Sequence, residues 1–139
     1  MIKIKAGTFK HVESELYAYH DTRKEIVRLK NEILYGTSSS DENVGGGRSN
    51  LPGDPTGKKA TLMVTHSAVI QLELIVNSIS EVYTQLPEEK QKLIRLKYWT
   101  KPQTLTWDGI ARKLNVSTRQ AQRWRDEIIR EIAKKIGWR

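Results

Sequence analysis

Apolar residues recur at helical spacing through most of the chain. Between residues 8 and 35, Val12, Leu16, Tyr19, Ile26, Leu29 and Ile33 form one stripe on an α-helix. Thr8 is expected to cap that helix, its hydroxyl accepting a free backbone N–H. Gly36 is the expected stop, because glycine enters the left-handed region at little steric cost. Residues 37–54, TSSSDENVGGGRSNLPGD, hold almost nothing apolar and cannot offset their ordering entropy, which predicts a flexible connector. Asp54-Pro55 reads as a helix start, with Asp at the cap and Pro in the first turn. A second helix should run to about Gln85 on a stripe of Val69, Leu72, Ile75, Val76, Ile79, Val82, Tyr83 and Leu86. Its a/d pattern lasts only about two heptads, so packing against the first helix is the default. Self-association through these N-terminal helices, giving a homodimer, is the alternative.

Leu86-Pro87 ends that helix and opens another, Glu88 to about Trp99. A loop at 100–103 follows, then helices at about Trp107–Leu114 and Thr118–Ile136. No strand-like alternation and no internal repeat interrupts the pattern. The chain therefore reads as all-α. A long N-terminal helical hairpin with its connector (1–86) should precede a small C-terminal helix-turn-helix domain (87–139).

The segment TWDGIARKLNVSTRQAQRWRDEI carries the helix-turn-helix spacing. Ile110, Leu114, Val116, Ala121, Trp124 and Ile128 supply its inner face, and Ala111 is small where two helices would cross. Asn115 stands where the turn requires a left-handed residue, which asparagine tolerates better than most. Ser117 can cap the next helix, with Gln120 three residues on as the partner of a capping box. With Ala121, Trp124 and Ile128 inward, Thr118, Arg119, Gln122, Arg123 and Asp126 point outward. Arg pairs with guanine O6 and N7 in the major groove, and Gln with adenine N6 and N7. Arg119, Gln122 and Arg123 are thus the candidate base contacts. Ser117 and Thr118, at the positive end of the helix, are candidate phosphate contacts. So are Lys101, Arg112, Lys113 and Arg125. Asp126 could accept from cytosine or orient Arg123 or Arg130.

Charge sharpens this picture. Of the net +8, residues 1–87 contribute nothing, with ten basic and ten acidic side chains; residues 88–139 hold fourteen and six. An excess confined to the last third suggests a polyanionic partner, here double-stranded DNA. A merely solvated basic face is the plain alternative. No cysteine is present, which removes disulfides, thiolate metal sites and a Cys nucleophile together. The three histidines lack metal-ligand spacing, and no cofactor or metal is expected. GDPTGKK (53–59) lacks the glycine spacing and hydroxyl of a phosphate-binding loop. Glu88 and Glu89 suit a helix N-terminus without any catalytic role. The four tryptophans, Trp99, Trp107, Trp124 and Trp138, fit core packing better than base stacking. No enzyme is expected. No apolar run suggests a membrane span and no signal peptide is evident, so the expected location is the cytoplasm.

LPEEKQKLIRLKYW followed by TLTWDGIARKLNVSTRQAQRWRDEIIREIAKKI resembles region 4 of bacterial sigma factors, over about residues 86 to 136. With Asp54-Pro55-Thr56 as well, the whole chain is similar to phage transcriptional regulators of the RinA/ArpU type. That resemblance implies an activator of late phage or prophage genes, for packaging and morphogenesis. It implies either recruitment of RNA polymerase at an operator or a sigma-like factor touching the core enzyme. A full sigma factor also needs a dense aromatic and basic cluster to open DNA. Tyr17, Tyr19 and Tyr35 are too scattered to form one, which favours the activator. A small terminase subunit, binding phage DNA for packaging, is a rival. Such proteins usually place the helix-turn-helix first, the reverse of the order here.

Overall fold

The helical periodicity is realised along the chain. The computed structural model describes residues 3–43 and 55–139. It is all-α, with five helices among the described residues: α1 (Ala6–Asn43), α2 (Pro55–Gln85), α3 (Glu88–Lys97), α4 (Trp107–Leu114) and α5 (Thr118–Ile136). The bounds of α4 and α5 are those expected from sequence. Pro55 opens α2, as its fixed φ and missing N–H favour.

Three expectations at the ends of α1 are corrected. The helix begins at Ala6, with Phe9 N–H already bonded to the Lys5 carbonyl. Thr8 therefore lies inside the first turn and is no cap; its hydroxyl donates to the Arg139 carbonyl instead. Gly36 does not stop the helix, which continues to Asn43 and takes in residues 37–43 of the expected connector. A nucleated helix adds residues cheaply, and a single interior glycine costs only about 1 kcal/mol. The rest of that connector, 44–54, and the Asp54 cap lie outside the described residues.

The chain divides into two compact units, but not at residue 86. The first comprises Met1–His20 and Ile75–Arg139, the second Asp21–Leu74. In the first unit, Val12 and Leu16 of α1 and Ile79 of α2 are buried with Leu93, Ile94 and Tyr98 of α3 and the inner faces of α4 and α5. Ala121, Ile128, Ile129, Ile132 and Ala133 fill the α5 side. The aromatic residues complete it. Trp99 stacks on Tyr19, its centroid 4.9 Å away, and its indole N–H donates to the Leu16 carbonyl at 3.0 Å. Trp138, beyond the left-handed Gly137 that ends α5, stacks on His11 at 4.2 Å.

In the second unit, Ile26 of α1 and Val69 of α2 are buried. Lys30 of α1 meets Glu73 of α2 at 2.7 Å. Within α2, Lys59–Gln85 is long and apolar enough to cross a membrane by length and composition, contrary to the sequence expectation. Val69, Ile75, Val76, Ile79 and Val82 of this stretch are buried, yet only 28% of its apolar window is covered by the protein, and Met63, Val64, Ile70 and Leu74 stand exposed.

Candidate nucleic-acid interface

The α4–α5 pair is held by its turn. Thr106 caps α4, its hydroxyl accepting the Gly109 N–H at 3.1 Å. Asn115 ends α4 in the left-handed region, at φ 59° and ψ 40°. Its N–H reaches the Arg112 carbonyl and that of Val116 reaches Ala111, so the last carbonyls of α4 are satisfied. Ser117 then caps α5, its hydroxyl oxygen accepting the Gln120 N–H at 3.0 Å. Ala111 and Ala121 are both buried, which lets the two backbones approach. Ile110, Leu114 and Ile128 are buried too, whereas Val116 and Trp124 are only partly covered. Ser117→Ala is expected to destabilise the first unit by about 0.5–2 kcal/mol, because one orphan N–H loses its acceptor. The midpoint of urea unfolding followed by tryptophan fluorescence checks it, and an unchanged midpoint would leave the cap without energetic weight.

The three candidate base-contact residues come together. Arg119, Gln122 and Arg123 line one shallow concavity on α5 of about 340 Å³, beside Asp126, Glu127 and Arg130. Arg119 and Arg123 are exposed and Gln122 partly so. Both acids of the concavity are engaged by cations: Asp126 Oδ1 by Arg125 Nε at 2.6 Å, and Glu127 Oε2 by Lys90 Nζ at 3.2 Å. The charge this face presents is therefore positive. The same bond assigns Asp126 to Arg125, and not to Arg123 or Arg130 as expected.

The candidate phosphate contacts separate into three groups. Lys101, Arg112 and Lys113 are exposed. Ser117 is exposed as well, and its hydroxyl hydrogen is free of its capping role. Thr118 differs: its hydroxyl donates to Asp108 Oδ1 at 2.6 Å. With that proton committed, only its main-chain N–H, in the first turn of α5, suits an anion.

Arg125 is a correction. Its side chain is only 19% exposed. Its guanidinium lies 5.2 Å from the Phe9 ring centroid and 5.0 Å from that of Trp107. Nη1 meets Glu13 Oε2 at 3.3 Å, and the same carboxylate oxygen accepts from Tyr98 Oη at 2.6 Å. Burial works against the Arg125 charge, but the bond to Asp126 and the nearby Tyr98 and Glu13 outweigh it and raise its pKa. Burial, with the bond to Glu13, pushes the Tyr98 hydroxyl up as well. This residue clamps α5 to α1 and does not reach outward. The sequence offered Arg125 as a phosphate contact; Glu13, more than a hundred positions away, draws it in.

Two participants were not picked out from sequence. Lys92 of α3 donates to the Lys113 carbonyl at 3.3 Å, at the negative end of α4. It adds a third cation to the Arg112 and Lys113 edge. Nothing local marks Lys92 among the lysines of its helix. Thr106 was legible, since a threonine directly before an apolar helical run is a cap signature. Among the described residues, no cluster of His, Cys, Asp or Glu could hold a metal ion.

No curated protein and no solved structure matches the chain. Residues 14–134, spanning both units, match the family described as "Protein of unknown function (DUF722)", and the chain belongs to that family.

Proposed function

We propose that the protein is a sequence-specific regulator of transcription that binds double-stranded DNA with α4 and α5 as its helix-turn-helix. The observation that carries this reading is the shared exposure of Arg119, Gln122 and Arg123 in one concavity over the first two turns of a capped helix. Those turns are the part of a recognition helix that enters the major groove. Arg112, Lys113 and Lys92 border the C-terminal end of α4. They would grip the phosphates, as cations do in most protein–DNA contacts. The likeness to phage regulators extends the proposal to activation of late genes through RNA polymerase.

Selection from a pool of random duplexes tests the proposal. One enriched motif is the expected result. Retention that declines with salt while no sequence is enriched would reduce the face to a general polyanion surface and overturn specific readout.

A further inference from the structure

Among the described residues, every large apolar side chain that stands well exposed belongs to the second unit, Tyr17 excepted. Five of them share one side. Met63, Ile70 and Leu74 fall within roughly 40° of one another on α2 at ~100° per residue. Leu34 of α1 and Ile70 of α2 line the same groove of about 320 Å³, together with Ile33 and Val69. Val27 stands one heptad before Leu34. These five side chains are between 43% and 69% exposed. With Ser67, also exposed, the α2 positions 63, 67, 70 and 74 repeat at intervals of four, three and four. That is the spacing of a helix–helix seam. A separate run, Leu62, Thr65, Val69 and Leu72, is the better covered face of α2. The helix therefore carries two seams, of which one is open.

Charge and area both point to what covers it. The second unit holds seven basic and seven acidic residues, so the whole +8 lies in the first. The charges beside the patch are paired internally: Lys30 with Glu73, and Arg28 with Glu25 at 2.6 Å and Glu32 at 2.9 Å. A polyanion finds no excess charge here, and a second copy meets no repulsion. The five side chains expose on the order of 500 Å² per copy, or ~1,000 Å² for two, which is where specific interfaces begin. We propose that this face pairs two copies of the chain about a two-fold axis, each presenting the same patch to the other. The pairing is independent of DNA binding.

Sedimentation equilibrium of the full chain without DNA tests it. A mass twice that of one chain is expected at micromolar concentration. The Ile70→Glu, Leu34→Glu double variant should sediment as a single chain with unchanged far-UV circular dichroism. Because the protein lacks cysteine, Ser67→Cys gives a second readout that does not depend on tolerating a buried charge. Oxidation should cross-link it as a dimer, and Thr84→Cys, in the other unit, should not cross-link. A single-chain mass at every concentration would overturn the pairing, as would a dimer indifferent to both glutamates. Sedimentation with phosphatidylglycerol vesicles that Ile70→Glu abolishes would assign the face to a membrane instead.

Discussion

Arg125→Ala is expected to lower the unfolding free energy of the first unit by about 2–4 kcal/mol. The substitution takes the guanidinium from Asp126, leaves Glu13 with only its bond from Tyr98, and removes the packing over Phe9 and Trp107. An unpaired, partly buried carboxylate is the costly product, more than the loss of attraction itself. Arg125→Lys should recover only part of the loss, because an ammonium cannot address two carboxylates and two ring faces with one planar fork. Urea unfolding followed by tryptophan fluorescence is the measurement, since Trp107 touches the residue. The salt dependence of the proposed DNA binding supplies the contrast. A phosphate contact removed would flatten the slope of log K against log salt by about 0.9 and leave stability alone. That pattern in Arg125→Ala would sink the clamp and restore the residue to the DNA-facing set.

The same residue shows what the sequence could not carry. Helices α4 and α5 were legible to the residue because their signals are local. Thr106, Asn115, Ser117 and Gly137 each act on backbone groups within five positions. The outward face of α5 was legible for a related reason, since the inward positions Ala121 and Ile128 fix the phase of the helix. The bond between Glu13 and Arg125 joins residues 112 positions apart, and no periodicity encodes it. The division of the chain at 20/21 and 74/75 was hidden for the same physical reason. The apolar stripes of α1 and α2 run on across those points, so periodicity marks no break. Gly36 misled in the opposite direction. A strong local stop signal lost to the low cost of extending an existing helix.

On α5 the consequence is a test that separates reading from gripping. Arg119→Ala and Arg123→Ala are each expected to cost about 1–3 kcal/mol on the preferred duplex, roughly 5- to 150-fold in affinity. Each should relax preference at one or two positions while binding to unrelated duplexes changes far less. Lys113→Ala and Lys92→Ala should behave differently. They should weaken binding to all duplexes alike, each lowering the salt slope by ~0.9. The two patterns follow from chemistry: a guanidinium fork matches the paired acceptors of guanine, whereas an ammonium is a point charge that any phosphate satisfies. Competition titrations of the four variants against the selected duplex and a scrambled one, at two salt concentrations, distinguish them. If Arg119→Ala and Arg123→Ala instead match the lysine variants, the α5 face is electrostatic only. Sequence preference would then have to come from the shape or bending of the DNA.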